Sequence, residues 1–489
     1  MAASRPAPEP SRATLLRDPN FRWLLRGGAI SMLGDQLTMI ALPWLVLKLT
    51  GDTLALGLVI ALMSAPSALF ILIGGALVDR HSPKRVLMLS KYANAALLAM
   101  LTLLVLNNAP ALTLALTASL SITLALNGQV TLWLVYGLAL GLGLAQAFGI
   151  PSGTSILPRV IVPQQLEQAN GMLMGMRQLT TLAGPLLAAL LIALAGDSGG
   201  ALRDAHGLAL AFGFDCASFL LSAWTLAKVC ELPGASATPA PPAAQAVHPG
   251  ATPDITATTH ASTTHATKHA TNGGQLSVWR AVGAGLAMVW RDTALRLCFS
   301  YWGLVALFIG GAMQVALPAL GNERLHGATA FGLLMAANGA GSLAGMAAAA
   351  IAGARLRMAS FGGMVLLADM LVGALVMPLG RIHSTWQGAL LLLAVGTVSG
   401  YMQVSVFTWI QRRVPPHMMG RTMSIFMFIF MGLAPLSASA TGWLLQSITL
   451  AQLFAGGGAT LIALAALAWL FTPMRAIRTV SATPTAQQN

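Results

Sequence analysis

Acidic side chains are scarce in this chain. Only 14 Asp and Glu stand against 27 Lys and Arg in 489 residues, and charged residues of both signs make up 8% of the sequence. A soluble protein of this length needs a charged surface to stay in water, and so little charge beside 56% hydrophobic residues excludes an ordinary water-soluble domain. Cysteine is equally sparse. Cys216, Cys230 and Cys298 are an odd number with no metal-ligand spacing, which excludes a disulfide framework and a zinc frame. No nucleotide-binding glycine loop and no nucleophile constellation stands out, so neither an ATP-driven pump nor a hydrolase is expected, and no cofactor is. The net charge of +13 is carried by short clusters between apolar runs, without interleaved aromatics, and implies no nucleic-acid partner.

What the chain does have is apolar runs of membrane-spanning length. Mean hydropathy is +0.74, and runs of about 20 apolar residues cross a bilayer as helices because every backbone group must be satisfied internally. Such runs lie near 24–49, 54–78, 86–106, 129–150, 169–195, 207–229, 297–320, 328–353, 361–380, 386–410, 422–446 and 450–472. The expectation is an all-α membrane protein of twelve spans in two six-helix halves, 24–230 and 297–472. The first run is too long for a signal peptide and lacks a small-residue cleavage site, so it should be a retained span following a polar segment, 1–23. Residues 111–126 are apolar but short and are expected to extend the hairpin between the third and fourth spans outward. Charge placement supports this count. All 27 basic residues except Lys48, Arg203, Arg324 and Arg381 fall on one side, which the positive-inside bias assigns to the cytoplasm together with both termini.

The halves also echo one another. At a constant offset, Ala41-Leu42-Pro43 matches Ala316-Leu317-Pro318, Gly57-Leu58 matches Gly332-Leu333 and Arg80 matches Arg355. Between the halves, residues 231–275 are built mostly of Ala, Thr, Pro, Gly, Ser and His, with no Leu, Phe, Trp or Met from 233 on. They cannot bury a core and are expected to form a disordered linker. The spacing of His248, His260, His265 and His269 is too irregular for a metal frame, and no metal is expected. Residues 276–296 set Val278, Trp279, Val282, Leu286 and Trp290 roughly on one face and should form an interfacial helix. The tail, 473–489, should be cytoplasmic.

The stretch GGALVDRHSPKRVL, from Gly74, places a carboxylate at the end of the second span and a basic cluster after it. It resembles the loop signature of the major facilitator superfamily, with Gly75, Asp79, Arg80, Lys84 and Arg85 in the matching roles and Ser82-Pro83 where a glycine and a basic residue are usual. The resemblance implies a latch: Asp79 would hold the two halves together on the cytoplasmic side, opposite the helix that begins near Arg421. FRWLLRGGAISMLGDQLTMIALPWLVLKLTG, PSGTSILPRVIVPQQLEQANG and FDCASFLLSA resemble the drug-efflux branch that includes macrolide and siderophore exporters. Gly184-Pro185 resembles that branch's helix-kinking Gly-Pro motif, with Leu187-Ala188 in place of its next glycines. The fourth span lacks the arginine that many proton-coupled exporters carry.

Ionisable groups at membrane depth are functional candidates by default. Asp35 lies about midway along the first span. With Arg177 at similar depth in the fifth, it is expected to form an ion pair whose separation admits a proton; a static pair that only fixes helix packing is the plainer possibility. Asp369 in the ninth span is the second coupling candidate, whereas Asp215 is expected to be a structural hydrogen-bonding residue. Gln36, Thr38, Gln146, Gln178, Gln314, Asn338, Gln403 and Thr408 are polar positions that could line a cavity. The reading is a monomeric secondary exporter in a bacterial inner membrane. It would move amphipathic small molecules by alternating access, with protons as coupling ion and membrane lipids as surroundings. A lipid or lysolipid flippase, or less readily a membrane enzyme acting on lipid-linked substrates, is the alternative.

Overall fold

A computed structural model describes residues 15–78, 82–106, 111–117, 120–125, 128–162, 165–194, 206–231, 283–325, 327–352, 360–415 and 418–477. Asp79 and Arg80 of the expected latch, and residues 233–275 of the expected linker with its histidines, lie outside these. Within them the chain is helical apart from one small hairpin. The first half contains α1 (Pro19–Thr50), α2 (Thr53–Val78), α3 (Pro83–Leu106), α4 (Gly128–Val160), α5 (Leu166–Leu194) and α6 (His206–Ala227). The second contains α7 (Thr293–Val305), α8 (Ala312–Glu323), α9 (Ala328–Ala352), α10 (Phe361–Val376), α11 (Thr385–Arg413), α12 (Met419–Gly432), α13 (Ala434–Leu444) and α14 (Leu450–Phe471). Ten helical stretches among the described residues are long and apolar enough to cross a membrane; α7 with α8, and α12 with α13, each act as one such stretch.

Local chemistry sets the helix ends. Asp18 caps α1 by accepting the Asn20 and Phe21 N–H groups at 2.8 and 3.4 Å, and Pro19 occupies the first turn, where its missing N–H costs nothing. Gly51 ends the helix in the left-handed conformation (φ 62°), its N–H returning to the Leu47 carbonyl. Thr449 and Gln452 form a reciprocal capping box on α14. The chain beyond α14 folds back: the Ile477 carbonyl accepts from the Gly362 N–H at 3.2 Å, strapping the last turn to the start of α10.

The segment expected to extend the α3–α4 hairpin does so with strands. Ala111–Thr117 (β1) and Leu120–Ala125 (β2) pair antiparallel with an irregularity between Ala115 and Thr117. Leu112, Leu114 and Leu116 alternate there with small residues and threonines, the period of a strand and not of a helix. Residues 283–291 are helical, within the expected interfacial segment, and end at Asp292. Asp292 caps α7 through the Ala294 and Leu295 N–H groups and receives both Nε and Nη2 of Arg413 at 2.9 Å. Burial alone would raise this carboxyl. The Arg413 fork and the two backbone donors instead hold it below the ordinary carboxylate range, so its contribution to stability is present at neutral pH and is lost as pH falls through that lowered value.

The two halves do not pack alike at their two ends. At the far end, where α1 meets α2 and α3 meets α4, a single apolar core draws on both halves: Leu42, Trp44 and Leu56 join Val315, Leu317 and Ala438. The duplicated Ala-Leu-Pro stretches meet in this core, and Pro43 and Pro318 are buried inside their helices. At the basic end, among the described residues, each half keeps its own core. Leu15, Phe21, Ile156 and Leu226 form one, and Leu295, Phe299, Trp409 and Ile410 form the other. The halves are therefore clamped at the far end.

Glycines make the clamp. A methyl group on Gly57 of α2 would stand 2.7 Å from the Ala438 carbonyl of α13, and one on Gly442 would collide with the Thr53 carbonyl. Thr53 Oγ1 donates to the Gly442 carbonyl at 3.1 Å, and Gln446 Nε2 donates to Asp52 at 3.3 Å. Because the obstruction at Gly57 is backbone, Gly57→Leu should open the far end. A cost to the closed form of only ~1.4 kcal/mol shifts the equilibrium about tenfold. In a background lacking the three native cysteines, Gln446→Cys should then react faster with a membrane-impermeant maleimide; an unchanged rate would show that the clamp lies elsewhere.

Candidate functional site in the first half

Small residues on α1 let α6 approach closely. A methyl on Gly27 would collide with Thr225 Oγ1, and one on Gly34, two turns on, with Asp215 Oδ1 and Ser218 Oγ. Such contacts are the usual means of packing helices where lipid supplies no hydrophobic drive. The stripe that contains Gly34 also carries Ser31, Asp35 and Thr38, three or four residues apart on one helix face. Opposite it on α6 runs a matching stripe of Asp215, Ser218, Phe219 and Ser222.

Polar groups fill the seam between these stripes. Asp215 is 1% exposed. It accepts from Thr38 Oγ1 at 2.5 Å on one oxygen and from Ser218 Oγ at 3.0 Å on the other. Lys91 enters from α3, donating to Ser31 Oγ at 3.2 Å with its ammonium 5.4 Å over the Phe219 ring. Lys91 interacts electrostatically with both Asp35 and Asp215, and the two carboxylates interact with each other. Three helices thus deliver two acids and one ammonium to one region. With every group ionised the cluster holds an excess negative charge, which at membrane depth calls for a proton or another cation.

The expected Asp35–Arg177 pairing is not what forms. Arg177 is exposed on α5, while Asp35 is half-buried and faces Lys91. The side chain that α1 turns toward α5 is its neighbour, Gln36, which donates to Thr181 Oγ1 at 3.3 Å; Asp35, about 100° around the helix, faces elsewhere. By position in the sequence Lys91 groups with the basic cluster after α2. Its depth, nine residues into α3 and about 12 Å along it, was the available signal. Asp215 does serve as a hydrogen-bonding residue, as expected, and it is also part of the charged cluster.

The remaining candidates are dispersed. Thr38 is buried in the cluster. Gln146 on α4 and Gln178 on α5 are half-buried, as are Asn338 on α9 and Thr408 on α11, while Gln314 on α8 and Gln403 on α11 are exposed. Helix α5 continues unbroken through Gly184-Pro185. What Gly184 supplies is close approach, since a methyl there would strike Gln36 Cβ. Gly75 lies within α2. Lys84 donates to the Val229 carbonyl at 2.6 Å and to the Ala227 carbonyl at 3.4 Å, closing the end of α6, and Arg85 is exposed.

The second half carries a counterpart. Tyr301 on α7 donates to Asp369 on α10 at 2.7 Å, so the first and third helices of each half are tied by a polar link. The repeat offset carries Asn94, one turn beyond Lys91, onto Asp369. Asn94 donates to the Ser90 carbonyl at 2.9 Å, while its own side-chain oxygen is buried without a partner. Span 7 is interrupted at Ala306–Gly310 by a π-helical turn that packs on α13, and a methyl on Gly311 would collide with the Ala438 backbone. Around Phe426, the rings of Phe299, Trp302, Phe407 and Phe430 form a continuous aromatic group on α7, α11 and α12.

Removing the ammonium leaves the buried Asp215 and the half-buried Asp35 without their cation. Lys91→Met should destabilise the folded protein by ~3 kcal/mol, the order of the cost of leaving an enclosed carboxylate without its compensating charge. Adding Asp35→Asn should restore most of that loss. Thermal unfolding of the detergent-purified variants measures both, and a Lys91→Met transition at the parent's temperature would remove Lys91 from the cluster's charge balance.

Solved transporter structures share this architecture. The nucleoside transporter NupG aligns with a TM-score of 0.61 at 12% identity over 91% of this chain and 97% of its own. The D-xylose-proton symporter aligns at 0.60 and 13% identity over 94% and 99%. A bacterial homologue of the iron transporter ferroportin in its inward-facing state aligns at 0.59 and 15% identity over 92% and 98%. In sequence, the uncharacterised MFS-type transporter y4rN of Sinorhizobium fredii (strain NBRC 101917 / NGR234) is 27% identical over 341 residues, covering 69% of this chain and 71% of that protein. The sequence pattern of the Major Facilitator Superfamily matches residues 24–439. An apolar helical bundle matched by that pattern over most of its length, this chain belongs to the Major Facilitator Superfamily and is a membrane transporter, not an enzyme.

Proposed function

We propose that this transporter exports amphipathic small molecules, of the drug, macrolide or siderophore class, in exchange for protons, and that Asp35 is the coupling acid. The observation that carries the reading is the cluster of Asp35, Asp215 and Lys91 between α1, α3 and α6. Asp215 has both oxygens engaged by hydroxyls and is almost fully enclosed, whereas Asp35 keeps some exposure. In this reading Asp35, whose oxygens are not engaged by these hydroxyls, is the member that exchanges a proton. Lys91 takes the part expected of Arg177: it stabilises the charged carboxylate, and rocking of α1 against α3 would weaken that hold and favour proton uptake. The aromatic group around Phe426, with Met402 and Met423 packed near it, supports an apolar and adaptable substrate surface in the second half.

In this reading the basic end faces the cytoplasm, with both termini, in a bacterial inner membrane. Clamping at the far end is then one state of an alternating-access cycle. The opposite state needs a hold at the basic end, which is the role proposed for Asp79, with Gly75, Arg80, Lys84 and Arg85 around it and α12, beginning at Met419, across from it. Lys84 contributes indirectly by fixing the end of α6.

Asp35→Asn tests the coupling. In proteoliposomes with an imposed pH gradient, the parent should concentrate a fluorescent amphipathic substrate, whereas the variant should bind it and exchange it downhill without accumulation. Accumulation equal to the parent's would rule out Asp35 and turn attention to Asp369. A screen of drugs, siderophores and lysophospholipids in the same vesicles identifies the substrate, and selective movement of lysophospholipid would replace the exporter reading by a flippase.

Asp79→Asn tests the latch. Cysteines placed at the basic end should become more reactive, and those at the far end less, with expression unchanged. If reactivity stays the same at both ends while transport is normal, Asp79 is only a boundary charge.

A further inference from the structure

Two tryptophans and three cations gather at the basic end of α1 and α6, outside the charged cluster and unused by the proposed transport cycle. Trp23 and Trp224 meet edge to face with ring centroids 5.4 Å apart. The Arg26 guanidinium lies 5.8 Å from the Trp23 ring centre, and the Lys228 ammonium 5.7 Å from that of Trp224. Arg22, Arg26 and Lys228 are exposed, as is Trp224 at 50%. Trp23 is about 6 Å from the start of α1 and Trp224 about 5 Å from the end of α6, the depth at which indole rings bridge headgroups and acyl chains.

The surroundings leave this cationic group for an external anion. Asp18, the acid nearest Arg22 in sequence, is occupied in capping α1, and Glu231, three residues beyond Lys228, makes no ion pair with the three cations among the described residues. The last carbonyls of α6 accept from Lys84, so Lys228 is not needed to close that helix. Helix α6 packs mainly on α1, α3 and α5 of its own half. Its outward stripe therefore faces away from the other half: Leu210, Phe214, Ala217, Leu221 and Trp224, all exposed, lead up to Lys228 over about 27 Å, close to the thickness of a bilayer's hydrocarbon.

We infer that Arg22, Arg26, Trp23, Trp224 and Lys228 form a binding site for one anionic phospholipid. Its phosphate lies among the three cations, and an acyl chain lies along the exposed stripe of α6. Charge complementarity selects the anionic headgroup, because a choline-bearing lipid would bring its own cation into the same cluster. Cations held over indole faces are partly pre-positioned, so fewer rotamers are lost when a phosphate is bound.

The test uses the full chain, purified and exchanged into mixed micelles with phosphatidylglycerol or phosphatidylcholine. Native mass spectrometry should show a retained phosphatidylglycerol adduct, with an apparent affinity about tenfold above that for phosphatidylcholine. Thermal unfolding should be raised by the anionic lipid and not by glycerol phosphate, which separates a lipid from a free phosphate. Arg26→Gln with Lys228→Gln should abolish the preference, while Arg291→Gln with Arg296→Gln, which removes as much charge elsewhere at the basic end, should keep it. Equal binding of the two lipids by the parent, or an undiminished preference in Arg26→Gln with Lys228→Gln, overturns the site. Should that double variant fail to fold, Lys228→Gln alone, at an exposed position beyond the helix, gives the same readout. None of these outcomes depends on whether Asp35 couples protons.

Discussion

The close contact of α1 with α6 at Gly27 and Gly34 is the constraint on which the polar interior depends. Lipid offers no hydrogen bonds, so a carboxylate at membrane depth must find partners within the protein. Gly34 brings Asp215 against α1, and Thr38, one turn farther, then donates to it. A side chain at position 34 would force Asp215 aside and leave it without that donor. The same contact fixes the face on which Asp35 emerges, and so decides that its neighbour is Lys91 of α3 and not Arg177 of α5.

Glycine plays a second part at the join between the halves. Gly57, Gly442, Gly311 and Gly339 each approach backbone of the opposite half or of a neighbouring span. These contacts lie at the middle and far levels of the bundle, and the shared apolar core lies with them. At the basic end, among the described residues, the cores are separate. Opening the join therefore costs both the close backbone contacts at the glycines and the burial of the shared apolar side chains. The charged cluster, by contrast, is internal to the first half, held between α1, α3 and α6.

The two halves resemble one another in scaffold more than in chemistry. Both halves place a buried proline in their first spans and a polar link between their first and third helices. Yet the first half holds two acids and an ammonium, while the second ties one acid to a tyrosine and surrounds Phe426 with aromatic rings. A protein with two equivalent scaffolds can give charge handling to one and apolar contact to the other, and that division underlies the proposed function.

Composition and apolar run length determined the helical membrane fold, and the loop after α2 pointed to the family, because a bilayer allows a chain this apolar few ways to satisfy its backbone. Asp35, Thr38 and Asp369 were legible as candidates for the same reason: polar atoms at that depth are costly. The strands at Ala111–Ala125 carry a period-two alternation of leucine with threonine or alanine, but six or seven residues are too few for that period to fix a partner, which the pairing of β1 with β2 supplies. Which ion meets which was decided only by tertiary structure. Depth along a helix can be read from residue number, but azimuth toward a neighbour depends on how each helix is rotated in the bundle. Arg177, about 17 Å along α5, turned to the surface, and Lys91, about 12 Å along α3, turned inward.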